Sequence, residues 1–486
     1  MPSRLPATRA KARTVRSVGL RQYAAAKTTR LTGDWIPLDQ SVNELIANSA
    51  PQVRARVRQL VRDFPFFARA VDVLVDMTVG TGIQFQSRVR QRGTRAYDYP
   101  VITRIEEAFA RWADEADCAG RLHFHELTRL SERNDLESGE YLFVRRILRD
   151  RNRFLSLAMQ AVEPERLTTH HSKPSVGNLV NQGIEYDPST FRPVAYHILE
   201  NDYTNKTVRV PAENVIHGFK PLRPDQLRGI SPFASAVLVA RDLDQFLGAT
   251  IDTAKLASKY LAMIETPDPV GFQQLRTETD ESGQRIESLE NAVIEYLRPG
   301  EKINFANHQI PNGQFDPFTR FILRMVAVST GTSYELLSGD YSGLTFSNLK
   351  AIRADMVRGI KPRADRRIRH FCMPAYKWFL ESAAMSGRLQ LPGLWEDPWR
   401  YQQAEWVWPG MESPDRLRDV KADIEEINNG LRSPQEVAAA RGRDLEEVLD
   451  EISEFQEMIK ARKITLAAGS TSMKNNPAAL GASESE

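Results

Sequence analysis

The sequence predicts an α+β protein, mainly helical. Three observations carry that expectation. Apolar residues recur at helical spacing through most of the chain, the period drops to two only between about residues 140 and 217, and two long helical runs flank a polar insertion. The 486 residues set a prior of about three domains. Hydrophobic residues at 41% and charged residues at 26% are ordinary globular usage, which excludes wholesale disorder and a disulfide miniprotein. With 65 Lys+Arg against 63 Asp+Glu the net charge is only +2, so any strong field has to be local.

The first 34 residues hold eight basic side chains and one acid, Asp34, without the apolar stretch of a secretory signal. They read as a disordered basic arm, and a mitochondrial transit peptide is the other reading of an Arg-rich, acid-poor start. Ser41-Val-Asn-Glu44 reads as a capping box, and Pro51 is expected to open a helix with Val53, Val57, Leu60 and Val61 on one face. Phe64-Pro65 starts a second helix, in which Phe67, Val71, Leu74, Val75 and Thr78 keep helical spacing and Gly80 stands at the C-terminal cap. Ile102, Ile105, Phe109 and Trp112 mark a third, and Phe124, Leu127 and Leu130 a fourth. Residues 141–144 and 154–162 alternate about the polar turn 149–153, which is a hairpin pattern. Short strands are expected at 195–199, 207–210 and 214–217.

Ser231-Pro232 supplies a cap and a first-turn proline for a helix running to about residue 264. Gln245, Asp252, Lys255 and Lys259 fall on one polar stripe of it. A Pro-rich break opens the insertion 266–312, and a helix at 317–330 returns from it. The Gly and Ser content of 331–346 reads as a loop before a long helix, 347–385. Nine Lys/Arg face only Asp355 and Asp365 between residues 350 and 377, and Pro362 is expected to kink the helix. Four of the seven tryptophans (Trp395, Trp399, Trp406, Trp408) cluster, a packing signal. Capped helices after residue 412, including the box Ser433-Pro-Gln-Glu436, carry fourteen acids against six bases between 412 and 457. The tail 463–486 has no core-forming pattern. Cys118 and Cys372 read as packed, unbridged thiols of a reducing compartment.

Catalytic chemistry finds no support in the motifs. No phosphate-cradling glycine loop occurs, and Gly80-Thr-Gly82 lacks the third glycine of a dinucleotide fingerprint. In His123-Phe-His125-Glu126, helical residues at i and i+2 point about 200° apart, so both imidazoles cannot meet one metal ion. They read as capping or solvated histidines. Gly339-Asp-Tyr-Ser-Gly343 misplaces the serine of an esterase elbow. The expectation is therefore no catalytic residue, no metal and no cofactor. No stretch reaches the ~18 apolar residues of a membrane helix. For the basic arm and the basic helix, phosphate binding and a solvated face stay equally open on composition.

Several blocks resemble, in order, the portal proteins of tailed bacteriophages, in the lambda-type branch. They are RVRQLVRDFPFFARAVDVLVDMTVGTGIQFQ (56–86), Trp112-Ala-Asp114, LESGEYLFV (136–144), VEPERL (162–167), GIEYD (183–187), RPVAYH (192–197), VPAENVIH (210–217), RGISP (228–232) and LSGDYS (337–342). The similarity covers about residues 35–460. It implies a portal fold: a mixed α/β wing (35–230, completed by 347–411), a stem of two helices (231–265 and 313–330), a clip insertion (266–312), a tunnel loop (331–346) and a helical crown (412–462).

The function it implies is a homo-oligomeric ring, typically a dodecamer, at one capsid vertex of the virion, assembled in the host bacterial cytoplasm. Terminase would drive double-stranded DNA through its channel, and the ring would meet major capsid, scaffold and head-completion or adaptor proteins. Lys255, Lys259, Asp340, Tyr341, Ser342, Gly343, Leu344, Thr345 and Lys350 would line the channel. Glu278, Asp280, Glu281, Arg285 and Glu287 of the clip would meet terminase or the connector. An acidic crown would keep DNA off the walls. The insertion departs from the family pattern in detail, and Lys350 is larger than the small residues relatives tend to carry there. The competing class is a DNA-binding or DNA-modifying protein acting as a small oligomer, which particle mass discriminates.

Overall fold

The computed structural model describes residues 37, 39–168, 174–201, 204–259, 262–265, 278–279, 285–286, 302–305, 315–409, 416–440, 443 and 445–462. The expected arm and tail lie outside these residues, as do Asp280, Glu281, Glu287 and most of the insertion.

Ser41 accepts a hydrogen bond from the Glu44 N–H and starts α1 (Val42–Asp63), which runs through Pro51 and does not begin there. Val42, Ile46 and Ala50 are buried together ahead of the proline, so packing offsets the backbone bond that proline removes. Pro65 opens α2 (Pro65–Thr78) at its first turn, and Gly80 follows its end with φ +57°. After β1 (Gln84–Ser87) come α3 (Tyr99–Ala113) and α4 (Phe124–Ser138). His123 caps α4: its Nδ1 accepts from the His125 N–H at 3.0 Å, and Glu126 reaches back to the His123 N–H at 2.8 Å.

The expected hairpin is β2 (Glu140–Ile147) with β3 (Leu157–Val162), antiparallel with Leu142 opposite Val162. A second sheet holds β4 (Leu179–Asn181), β5 (Ile184–Tyr186), β6 (Pro193–Asn201) and β7 (Thr204–Pro211) in sequence order, and β8 (Val215–Phe219) returns to pair with β2. Strand alternation makes β2 a wall between two cores. Tyr141 and Phe143 join an aromatic core with Phe109, Trp112, Phe124, Phe371 and Phe379, while Leu142 and Val144 pack with Ile184, Tyr196 and Ile198. Both faces are covered, so the run Tyr141-Leu-Phe-Val144 is continuously apolar.

Gly139 caps α4 in the left-handed region at φ +85°, and a Cβ there would lie 2.0 Å from the Ile230 backbone. The next residue, Glu140, fastens the same junction. Its buried carboxylate accepts from Arg228 Nε (2.9 Å), His217 Nε2 (3.1 Å) and the Gly229 N–H (3.0 Å). Burial opposes the charge, but Arg228 and His217 more than offset it and hold the Glu140 carboxyl well below the usual carboxylate range. A depressed carboxyl contributes stability that is present above its unfolded value, about 4.3, and lost as pH falls below it. The acid limb of a fluorescence-monitored pH unfolding curve is therefore expected to be less steep for Glu140→Gln than for the parent chain. An unchanged limb would exclude this carboxylate as a source of acid lability.

Helix α5 (Val237–Lys259) starts five residues later than Ser231-Pro232 suggested. The Ser231 hydroxyl donates to the Leu136 carbonyl at 2.6 Å and accepts from the Phe233 N–H at 3.2 Å, so it caps the tight turns of residues 232–236, which set Phe233 against Phe67. Of the insertion, β9 (Ala262–Glu265), β10 (Glu278–Thr279), β11 (Arg285–Ile286) and β12 (Lys302–Phe305) are described, with β9 antiparallel to β12 and β10 to β11. Helix α6 (Phe315–Thr330) returns, and α7 (Tyr334–Ser338) occupies part of the expected loop.

Helix α8 (Phe346–Arg367) passes unbroken through Pro362. The irregularity comes at a π-helical turn, Ile368–Cys372, where the Met373 N–H bonds to the Ile368 carbonyl five residues back, ahead of α9 (Met373–Met385). Pro374 follows at once and cannot supply an N–H, so the widened turn falls where the ladder would fail. The short α10 (Pro398–Gln402) leads to β13 (Ala404–Val407), paired with β1. Only half of the tryptophan cluster is core: Trp406 is buried and Trp408 donates to the Met77 carbonyl, while Trp395 and Trp399 are 63% and 70% exposed. The chain ends in α11 (Arg416–Asn428), α12 (Pro434–Ala440) and α13 (Leu445–Arg462), with the Ser433/Glu436 box closed in both directions.

Candidate functional site

The residues expected to matter sit on an arm built from α5 and α6. Val237, Ala240 and Leu243 at one end of α5, with Leu323, Val326 and Ala327 on α6, are buried in the core that α1 and α2 supply. Farther out, Phe246 clasps the two helices through Phe315 (6.0 Å) and Phe318 (5.0 Å). Beyond it the arm faces solvent. Lys255 is 67% exposed and 3.1 Å from Asp252 one turn back, a pair worth little in water. The backbone of Lys259 ends α5, and its side chain lies outside the described residues, as do those of Glu278 and Arg285 in the short strands.

Helix α6 leaves a second, apolar stripe largely in water, with Phe318 at its start partly covered by Phe246. Phe318, Phe321, Met325 and Val328, spaced 3-4-3, are 47%, 60%, 42% and 81% exposed. Large apolar side chains in line on one helix face mark a contact surface.

The segment 331–346 hangs from this arm. Ser333 caps α7, Leu337 is buried against α2, and Arg69 donates to the Leu336 carbonyl at 3.3 Å. Asp340 is turned back into the segment. It accepts from the Tyr334 hydroxyl (3.0 Å) and from the Ser342 N–H (3.0 Å) and hydroxyl, with Arg320 of α6 at 3.6 Å. The bonds from Ser342 lead in holding its carboxyl down to about 2. Thr345 is likewise occupied, accepting from the Asn348 N–H to cap α8. Tyr341, at 50% exposed, with Ser342, Gly343 and Lys350 offers the outward surface, and Leu344 is half-buried. The seven expected residues here, 340–345 and Lys350, thus separate into outward groups and groups that shape the segment. Arg320 and Tyr334, which anchor Asp340, were not singled out by sequence. A half-buried tyrosine six residues before an aspartate has no local signature.

The basic helix resolves into two halves. Toward its start Lys350, Arg358 and Lys361 are exposed. Toward its end Arg363 reaches Glu132 (2.9 Å), Arg367 reaches Glu132 (2.6 Å) and Asp135 (3.2 Å), and Arg366 lies 3.7 Å from Asp135. Arg367 also lies 4.2 Å from the Tyr141 ring centroid. Those three arginines are neither a solvated face nor a phosphate surface, whereas Arg369 and Lys377 beyond them are exposed.

Among the described residues no group of three His, Cys, Asp or Glu could hold a metal ion, and no helix is long and apolar enough to cross a membrane. Cys118 and Cys372 are unbridged, and burial pushes the Cys372 thiol up to about 12, which makes it inert.

Residues 28–363 match the family model for phage portal proteins of the lambda family. The chain belongs to that family. This portal chain is 26% identical over 453 residues to a probable portal protein of Halomonas phage phiHAP-1, covering 89% of this chain and 86% of that one. It is 23% identical over 458 residues to portal protein B of Escherichia phage lambda, covering 85% of each. Among solved structures it is similar to a chain in the neck of an empty GTA particle computed with C6 symmetry (TM-score 0.45, 14% identity, 80% of this chain and 93% of that one). It is also similar to one in the neck of a native GTA particle computed with C12 symmetry (TM-score 0.43, 14% identity, 80% and 93%). A portal protein is a structural component of the virion and connects head to tail.

Proposed function

We propose that this portal chain assembles with copies of itself into a ring, a dodecamer, whose axial channel passes double-stranded DNA during packaging by terminase and during ejection. The apolar α6 stripe carries the reading. A helix that buries one face in its own core and leaves Phe321 and Val328 in water on another is suited to close neighbours, as in a cyclic assembly. In this arrangement α5 and α6 form the stem, residues 35–230 and 347–411 the wing, and 266–312 the clip, where Glu278, Asp280, Glu281, Arg285 and Glu287 would meet terminase or adaptor proteins. The wing would meet major capsid and scaffold proteins during assembly in the host cytoplasm. No catalytic role is assigned.

DNA must slide, so a few mobile lysines suit the wall better than a matched array of phosphate contacts. Lys255, Lys259 and Lys350, with the segment at Tyr341, are the proposed DNA-facing groups. Reversing Lys255 and Lys259 to Glu is expected to lower the DNA retained per particle and to reduce the salt dependence of DNA binding by about 0.9 in log–log slope per lost contact. Packaging and retention equal to the parent would remove these lysines from the channel.

Twelve copies of 55.1 kDa predict a particle of about 660 kDa with a central hole in electron micrographs. A monomer or dimer, with scaffold protein present, would favour the small DNA-binding oligomer instead.

A further inference from the structure

One corner of the wing holds two tryptophans in water beside a row of arginines. Trp395 and Trp399, four residues apart where the chain enters α10, are 63% and 70% exposed. The turn between β1 and α3 is fastened against them. Arg400 donates to the Arg90 carbonyl at 2.7 Å and to Asp98 at 2.8 Å, and Arg92 donates to the Pro392 carbonyl at 3.3 Å. Gly393, at φ +75°, leaves the space that the Arg92 guanidinium fills, since a Cβ there would collide with it. Within the turn the Asp98 N–H bonds to the Val89 carbonyl at 2.9 Å and the Gln91 N–H to the Ala96 carbonyl at 3.0 Å. The patch is thus held in shape before anything meets it, which removes an ordering cost from binding. Fixed tryptophans ringed by arginines have the composition of the few residues that carry most of a protein–protein contact.

We propose that this corner docks a protein segment of a different chain, one that brings apolar side chains to Trp395 and Trp399 and carboxylates to Arg90 and Arg95. This rests on the reading that the wing meets other proteins of the head, and it names the surface and the chemistry that fits it. Charge selects the class of partner. On residues 88–98 and 392–400 five arginines stand against Asp98, Glu396 and Asp397, and Glu405 of β13 pairs with Arg88 at 2.9 Å, so the surplus is one. A nucleic acid or an anionic lipid surface needs an uncompensated row of positive charge, and Glu396 and Asp397 beside the tryptophans would repel its phosphates. A protein segment meets mixed charge without that penalty. Arg400 takes Asp98, Arg88 takes Glu405, and Arg92 lies 3.7 Å from Glu396, which leaves Arg90 and Arg95 exposed without a carboxylate among the described residues. The proposed contact between copies is a different surface: the α6 stripe borders the core of α1 and α2, whereas Leu391, Leu394 and Tyr401 beneath these turns belong to the aromatic core.

The test uses full-length rings and a labelled peptide of three Pro-Leu-Glu-Glu repeats, which offers apolar anchors and carboxylates on an extended chain. Parent rings are expected to bind it about tenfold or more tightly than the same peptide with Ser for Leu, or with Gln for Glu. Trp395→Ala with Trp399→Ala, and separately Arg90→Glu with Arg95→Glu, are expected to weaken binding about tenfold or more. Ring mass and unfolding midpoint are expected to stay those of the parent, because all four side chains are exposed. Co-expressed with its cognate capsid and scaffold proteins, the tryptophan variant is expected to enter about tenfold fewer proheads, and acrylamide quenching of tryptophan fluorescence is expected to be equal in monomer and ring. Variants equal to the parent in peptide binding or in prohead entry overturn the site. Tighter binding of single-stranded oligothymidine or of phosphatidylglycerol vesicles than of the peptide gives the patch to phosphate chemistry and overturns it too. Quenching that falls on ring formation gives the patch to the next copy, which overturns the docking site and leaves the ring reading intact. A chain that stays monomeric overturns the ring reading alone, and the peptide comparison is then made on the monomer.

Discussion

Glu132→Ala is expected to cost about 3–5 kcal/mol, because it strands buried arginines and does not merely remove a bond. Glu132 is fully buried on α4, and it accepts from Arg363 at 2.9 Å and from Arg367 at 3.0 and 2.6 Å. Burial alone would raise its proton affinity, and the two guanidiniums reverse that and keep the carboxyl below its ordinary range. Asp135, one turn along, is pushed up, first by burial and also by the neighbouring Glu132 charge, against the pull of Arg367. With Glu132 gone, Arg363 loses its carboxylate, and Arg367 keeps only Asp135 at 3.2 Å and the Tyr141 ring in a site 2% exposed. Soluble yield and the denaturation midpoint of unassembled chain are expected to fall together. Adding Arg367→Met to Glu132→Ala is expected to recover part of the loss, since the buried guanidinium that lost its partner is then gone. Additive losses in the double variant would show that the two residues do not act as a pair.

Phe321→Glu combined with Val328→Glu on α6 is expected to leave the monomer intact and to abolish ring formation. Both side chains are mostly in water in the single chain, at 60% and 81% exposed, so their replacement should shift monomer stability by about 0.5 kcal/mol or less. In a cyclic assembly every subunit presents the stripe, and two carboxylates per interface would each be buried without a partner. The assembled fraction in sedimentation velocity is expected to fall by more than about 100-fold, the equivalent of about 2.7 kcal/mol per contact. Undiminished rings from this variant would place the subunit contact elsewhere.

The parts legible in the sequence are those where local chemistry and tertiary demand agree. Helix caps at Ser41, His123 and Ser433 closed as their spacing required, because a cap is satisfied within four residues. The period-two run at 141–144 became β2, and its unbroken apolarity reflects a core on each face. Misreadings came where a distant partner intervened. Pro51 looked like a start but lies inside α1, since Ser41 and the cluster of Val42, Ile46 and Ala50 had already fixed the helix. Ser231 looked like a cap for α5, yet it caps the turns of 232–236 instead, accepting from the Phe233 N–H while its O–H serves the Leu136 carbonyl, 95 positions away. The nine basic residues of the long helix could not be divided by composition, because Glu132 and Asp135, which claim Arg363, Arg366 and Arg367, are more than 200 positions upstream.

Read alone, the sequence determined the α+β class, the order of the longer helices, the β2–β3 hairpin, the two long helices flanking an insertion, and the ordered blocks that mark a portal protein. These rest on periodicity, capping and motif order, which are properties of neighbours along the chain. Only the tertiary structure decided which charges are buried and which face water. It turned Asp340 inward to hold Tyr334 and Ser342, left Tyr341 outward, sank Arg367 into the core and left Phe321 and Val328 of α6 mostly in water. Whether a side chain is buried depends on what other segments bring to it, and in this chain those segments lie far away in sequence.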